Sequence, residues 1–262
     1  MKTVLTGLIL LCVHTAAAAL DANTSAVELN TPPAAPPSQS EPASMPELNA
    51  QSVLVYDQVS GRPLLAKNAT MQTPIASITK LMTAMLVINA GLPLDERITL
   101  TSDDRDTLKG TGSRLAIGAH YTRGQLLHLA LIASDNRAAH ALARSYPGGL
   151  ERFVATMNRT ARVLGMRDTV YVEPTGLSSS NRSTALDLAK LADYAYQNYP
   201  EIRQITATGQ YTLGTQRVVL KKKHHRQAKV TYRTVAFNNT NRLTRMDDWH
   251  IGLSKTGFIN EA

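Results

Sequence analysis

The stretch Thr73-Pro74-Ile75-Ala76-Ser77-Ile78-Thr79-Lys80-Leu81-Met82-Thr83-Ala84-Met85-Leu86-Val87-Ile88 decides how the rest of the chain is read. Apolar residues at 78, 81, 82, 85 and 86 repeat with the period of one helical face, which predicts a helix packed into a core. Thr73 is placed to cap it, Pro74 suits its first turn, and Gly91 with Pro93 can end it. Ser77 and Lys80 then lie within one turn on the same side, at the edge of the apolar stripe. A lysine there is partly desolvated.

Working outward, Ser52 to Tyr56 and Pro63 to Lys67 are short strand-like runs around Ser60-Gly61 and predict a hairpin. Leu92 to His120 reads as loops with short elements, Thr101-Ser102-Asp103-Asp104 forming a cap or turn. Thr122-Arg123-Gly124-Gln125 has the form of a capping box before the apolar run Leu126 to Ile132. That helix breaks at Ser134-Asp135-Asn136, and others follow over Arg137 to Tyr146, Leu150 to Leu164 and from Thr184 through Tyr194. Glu173-Pro174-Thr175-Gly176-Leu177 is a loop. Beyond Pro200, β-branched and aromatic residues at 218–219, 230–232 and 234–235 predict strands, and the alternation in Trp249 to Lys255 predicts another with Ile251, Leu253 and Lys255 on one face. Strands at both ends around a helical middle predict an α/β (α+β) fold: an antiparallel sheet packed against a mainly helical insertion.

Met1-Lys2-Thr3, the apolar run Val4 to Val13 and Ala16 to Ala19 have the form of a signal peptide over residues 1–22, cut near Ala18, Ala19 or Ala22. The run is too short to span a bilayer comfortably. Cys12 is the single cysteine, so a processed chain has no thiol, which suits an oxidising compartment and excludes thiolate chemistry. Residues 23–50 read as an extended linker holding six of the twelve prolines, leaving 51–262 as one domain. The net charge of +8 is concentrated: Arg217, Lys221, Lys222, Lys223, Arg226, Lys229 and Arg233 carry seven positive charges with no acid between them. Few aromatics and no recognisable nucleic-acid module argue against DNA or RNA. A solvated basic hairpin is the plain reading of 217–233; contact with an anionic glycan or membrane surface is the functional one.

Three motifs carry chemistry. Ser77-Ile78-Thr79-Lys80 is the one S-x-x-K at any serine of the chain. A serine hydroxyl needs a neighbour to take its proton, and a neutral lysine one turn away can do so. Bringing that lysine from ~10.4 to near 7 costs the ammonium form on the order of 4 kcal/mol; burial and a second cation, for which Lys255 is a candidate, are the available causes. Ser134-Asp135-Asn136 could be only a helix junction, and Ser179-Ser180-Asn181 matches S-x-N as well. Lys255-Thr256-Gly257 could be an ordinary strand end. The three in this order, on a helix start, a helix junction and a strand end, favour a site over three coincidences.

S-x-x-K, S-D-N and K-T-G together are the signature of class A β-lactamases and penicillin-binding proteins. With Ala133-Ser-Asp-Asn-Arg-Ala-Ala, Tyr146-Pro-Gly-Gly, Val172-Glu-Pro-Thr-Gly-Leu-Ser, Asn239-Thr-Asn and Ser254-Lys-Thr-Gly-Phe, the chain resembles the low-molecular-weight penicillin-binding proteins. Within that serine-type D-alanyl-D-alanine carboxypeptidase and endopeptidase family it is most similar to the endopeptidase branch. The resemblance covers Gln51 to the last residue and implies the β-lactamase/transpeptidase-like fold. It implies acyl transfer through Ser77 with Lys80 as base, Ser134 relaying a proton to the leaving amine, and Asn136 orienting the substrate amide and Lys80. It further implies that Lys255 and Thr256, within the Lys255-Thr256-Gly257-Phe258 substrate strand, bind a terminal carboxylate. The N–H groups of Ser77 and Phe258 would form an oxyanion hole. The implied substrates are peptidoglycan peptides, the implied inhibitors β-lactams, and no metal or other cofactor is needed.

Two rivals stand beside this. A class A β-lactamase uses a glutamate in an E-x-x-L-N loop, whereas Glu173 here is followed by Pro-Thr-Gly-Leu-Ser, which reads as a rigid wall of the cleft. A non-catalytic peptidoglycan-binding or sensor domain would keep the fold without covalent labelling. Family members continue past K-T-G-F with two strands and a closing helix, so the resemblance implies a C-terminally incomplete domain, an exposed Lys255 strand edge and lowered stability, and puts the activity of this chain in question.

Overall fold

A computed structural model describes residues 47–220 and 229–261. The segment read as a signal peptide, nearly all of the segment read as a linker, and Lys221, Lys222, Lys223 and Arg226 of the basic segment lie outside the described residues. Strands β1 (Val53–Tyr56) and β2 (Pro63–Lys67) form the expected antiparallel hairpin, Val53 opposite Lys67. Its turn is held by Asp57 Oδ1, which accepts the N–H of Val59 at 2.8 Å.

The chain then enters β3 (Thr73–Pro74), a 3-10 turn at Ala76–Ile78, and helix α1 (Thr79–Asn89). Thr73 is therefore no cap: it is a strand residue opposite Ser183 of β6 (Arg182–Ser183), with Pro74 opposite Arg182. Helix α1 also departs from the one-sided stripe expected of it, for every residue from Thr79 to Val87 is buried. The reason is its position. Around it pack α2 (Arg123–Ile132), α3 (Asn136–Arg144), α4 (Gly149–Val163) and α5 (Ala185–Asn198), so α1 has no solvent face and its polar residues must find partners inside. Thr79 Oγ1 donates to Ala76 O at 2.8 Å and Thr83 Oγ1 to Pro174 O at 2.7 Å.

Short-range signals place the surrounding helices. Thr122 Oγ1 accepts from Gln125 N at 3.1 Å while Gln125 Oε1 accepts from Thr122 N at 2.9 Å, the reciprocal pair of a capping box. Asp135 caps α3 by accepting from Ala138 N at 3.0 Å, and Thr184 caps α5 by accepting from Asp187 N at 3.1 Å. Strands β4 (Arg97–Thr99) and β5 (His120–Thr122) pair antiparallel and lead into α2. Helix α6 (Pro200–Ala207) was not expected; Pro200 sits in its first turn, where a missing N–H costs nothing.

Strands β7 (Gln210–Leu220) and β8 (Lys229–Asn238) form a long antiparallel hairpin whose base lies on α2: Leu213 and Phe237 are buried in the main core, and Tyr211 stacks on His128 at 4.5 Å. The fold class is thus helices with antiparallel strands, but β1–β2 and β7–β8 stay in separate two-stranded ladders rather than one sheet. Trp249 to Lys255 is not a strand either. Its backbone is held by α6 instead of by a ladder: Thr206 Oγ1 accepts from Ser254 N at 3.3 Å, and Ser254 Oγ donates to Thr206 O at 3.2 Å.

Candidate active site

Three separate segments meet above the start of α1. Strand pairing of β3 with β6 and the Ile75 N to Asn181 O bond of 3.0 Å fix how the chain reaches Ala76. Ala76 itself has φ +45°, a left-handed conformation that costs an alanine energy, and it lifts Ser77 out ahead of the helix. Ser134, at the break between α2 and α3, has φ +55°. Of the three non-glycine residues held in that region among the described residues, Asn68 lies in a turn away from the site, while Ala76 and Ser134 lie at the motifs and mark a locally strained site kept in place by its surroundings.

Lys80 is fully buried. Its Nζ donates to Ser77 Oγ at 2.8 Å, to Asn136 Oδ1 at 2.6 Å and to Thr175 O at 2.6 Å. Burial pulls its ammonium down to about 7, with the negative charges of Glu173 and Asp135 pulling partly the other way. The second cation invoked from the sequence is not what lowers it. Lys255 is buried too, and burial together with the nearby Lys80 charge pushes it well below the usual lysine range. Lys255 Nζ donates to Ser134 Oγ at 2.9 Å and to Thr256 O at 2.8 Å. Ser77, Lys80 and Asn136 therefore share one network and Ser134, Lys255 and Thr256 another, and the S-D-N turn joins them.

Of the remaining expected residues, Thr256 Oγ1 donates to Thr240 Oγ1 at 2.6 Å. Gly257 lies against the approach to α1, where an added Cβ would come within 3.1 Å of Ile75 O. The Phe258 ring is exposed. Ser179-Ser180-Asn181, the competing S-x-N, is structural: buried Asn181 accepts from the N–H of Val172 and Glu173 and donates to Thr79 Oγ1 at 3.1 Å.

Several supporting residues carry no motif. Asn136 Nδ2 donates to Thr111 Oγ1 at 2.9 Å, and Thr111 Oγ1 in turn donates to Asp106 Oδ2 at 2.6 Å. Glu173 is the hub of the 173–178 loop. Its Oε2 accepts from Thr175 N at 2.7 Å and its Oε1 from Gly176 N at 2.6 Å, Ser178 N at 3.3 Å and Asn181 Nδ2 at 3.1 Å. This turns the Thr175 carbonyl toward Lys80 and seats Gly176 on the Ala76–Ser77 peptide, so close that a Cβ there would fall 1.8 Å from Ala76 O. The cleft-wall reading of this loop understates it, since it also holds the lysine.

A buried amine poised near neutrality and bonded to a serine hydroxyl can deprotonate that hydroxyl as it attacks a carbonyl. Comparison with known proteins points the same way. The D-alanyl-D-alanine carboxypeptidase family matches residues 39–262. A D-alanyl-D-alanine endopeptidase of Pseudomonas aeruginosa is 43% identical over 229 residues, covering 87% of this chain and 69% of that protein. One from Escherichia coli is 42% identical over 220 residues, covering 84% and 66%. This chain therefore spans about two thirds of the length of these two relatives. The crystal structure of a Streptomyces DD-transpeptidase superposes with a TM-score of 0.66 at 29% identity, covering 79% of each chain.

Proposed function

The chain belongs to the D-alanyl-D-alanine carboxypeptidase family, and from that premise we propose that it is a penicillin-sensitive serine peptidase that cleaves D-alanyl bonds of peptidoglycan peptides, as an endopeptidase on cross-links. The observation that carries this is the Lys80 to Ser77 bond of 2.8 Å made by a fully buried lysine with a pKa of about 7.

Ser77 Oγ attacks the D-alanyl carbonyl carbon while Lys80 Nζ, in its neutral form, takes the hydroxyl proton. Negative charge then grows on the carbonyl oxygen, and the N–H groups of Ser77 and Phe258 are the donors assigned to it. Collapse breaks the C–N bond, and the proton reaches the leaving amine through Ser134, which Lys255 already contacts at 2.9 Å. Water then hydrolyses the ester and frees Ser77. An arriving substrate carboxylate favours the charged form of Lys255, which burial otherwise opposes, so that charge is fully expressed only when substrate is bound. The endopeptidase preference is supported by the names of the relatives at 42–43% identity.

A β-lactamase reading is disfavoured by Glu173, whose two oxygens are occupied by loop N–H groups rather than free to activate water. Fluorescent penicillin should label the chain covalently and fail to label Ser77→Ala; equal labelling of both, or of neither, would sink the assignment and return the sensor-domain reading. Digesting cross-linked and uncross-linked muropeptides in parallel separates the two peptidase activities. The leader-like run at 1–22 supports export to the periplasm, which the mass of the exported chain checks. The charge of 217–233 supports contact with anionic glycan or lipid, and binding to isolated cell-wall sacculi that does not weaken with added salt would count against it.

A further inference from the structure

Beside Asn136 the surface opens into a cleft of about 610 Å³ whose wall carries Arg105, Arg114 and Arg137 together with Asp106 and Thr111. It is built onto the catalytic network. Thr111 Oγ1 accepts from Asn136 Nδ2 at 2.9 Å, and Ser113 Oγ donates to Asp135 Oδ2 at 2.7 Å. Asp106 is an anion in the same wall and offsets only part of the charge of the three arginines. Its oxygens accept from Leu108 N, Lys109 N, Thr111 N and Thr111 Oγ1 at 2.6–3.0 Å; burial, the largest single effect, pushes its carboxyl up, but these donors together outweigh it and hold the carboxyl below the usual range.

With three arginines against one aspartate, the wall remains net positive. Among the described residues none of the three guanidinium groups forms an ion pair. Arg114 lies 3.7 Å over the Phe237 ring and donates through Nη1 to Ala236 O at 3.0 Å, which fixes its plane and leaves its other donors. Arg137 donates through Nη1 to Leu115 O, and its Nε–H finds no acceptor among the described residues although it is buried. A buried donor without a partner is costly, and planar guanidinium forks match carboxylates.

We propose that this cleft holds a second carboxylate of the substrate peptide, one carried upstream of the scissile bond and distinct from the carboxylate received at Lys255. The inference rests on the peptidase reading and deepens it: Asn136 would align the peptide between a chemical step at Ser77 and an anionic anchor in the cleft. Two carboxylates of such peptides have the required chemistry, the free α-carboxylate of a γ-linked D-glutamate and the distal carboxylate of diaminopimelate.

Binding to Ser77→Ala, which cannot turn over, separates this anchor from the reaction. Calorimetry with an L-Ala-γ-D-Glu-diaminopimelyl-D-Ala-D-Ala peptide, and with the same peptide amidated singly at each of those carboxylates, identifies which one is held. Amidating it should weaken binding about tenfold or more, the size of one charge-assisted hydrogen bond. Arg105→Glu, at an exposed position, should abolish that difference in the Ser77→Ala background. Equal affinity for all three peptides, a preference that survives Arg105→Glu, or no measurable binding of any of them overturns the proposal. Failure of the peptidase reading would show itself separately, as absent penicillin labelling of the wild-type chain.

Discussion

Lys80 and Glu173 form the smallest unit from which behaviour can be predicted. With Lys80 as the proposed base, acylation draws on its neutral form, so the labelling rate should rise with pH through about 7 and fall about tenfold per unit below it. Glu173 raises the lysine pKa, so Glu173→Gln should move that midpoint to lower pH. The same change puts an amide NH₂ where N–H donors converge, and should lower stability by about 1–3 kcal/mol. A pH series of labelling with a melt of each variant tests both, and an upward or absent shift contradicts the electrostatic role. Ser77 and Lys80 were legible in the sequence because three residues of helix place them together whatever surrounds them. Ser134, Asn136 and Lys255 were legible only as a set. Glu173 and Thr111 were not identified as its supports, because their contacts to the site cross long spans of chain that no local period marks.

Helices whose ends are written in neighbouring residues were the most readable elements: Thr122 with Gln125 and Thr184 with Asp187 announce α2 and α5 by contacts three residues long. Helix α6 opens instead with a proline that resembles a break. The alternation in Trp249 to Lys255 cannot say whether a partner strand exists, and here Thr206 supplies the contacts. The loop at 173–178 shows why an element must be judged by what it touches. Gly176 and Gly165 both have positive φ, +84° and +70°, but a Cβ at Gly165 meets nothing within 4 Å whereas one at Gly176 meets the Ala76 carbonyl. Gly165→Ala should therefore cost about 1 kcal/mol in backbone strain and keep full penicillin labelling. Gly176→Ala should displace the Ser77 turn and abolish labelling. Similar labelling of the two variants would mean that the loop does not set the position of the nucleophile.

Across the molecule, the segment between β4 and β5 is both a wall of the arginine cleft and the support of Asn136, and buried Asp104 ties it to the helical body. Asp104 Oδ1 accepts from His140 Nδ1 and Arg144 Nε, each at 2.9 Å, and Oδ2 from Arg144 Nη2 and Thr101 N, each at 2.8 Å. Burial alone would raise its pKa, but these donors and the Arg144 charge outweigh it and hold the carboxyl far below its ordinary value. A depressed folded-state pKa means that the unfolded chain takes up the proton first as the solution is acidified. The stabilisation is therefore complete above the ordinary aspartate value near 4 and drains away below it. Asp104→Asn should cost about 1–3 kcal/mol at pH 7, because it removes the buried carboxylate on which Arg144, His140 and Thr101 converge. The gap between wild type and variant should narrow steadily from pH 5 to pH 3, as the wild type alone loses this contribution. Denaturant melts of both proteins across that range decide the matter: a gap that stays constant would show that Asp104 acts through packing and neutral hydrogen bonds, and that acid does not loosen the cleft wall through this carboxylate.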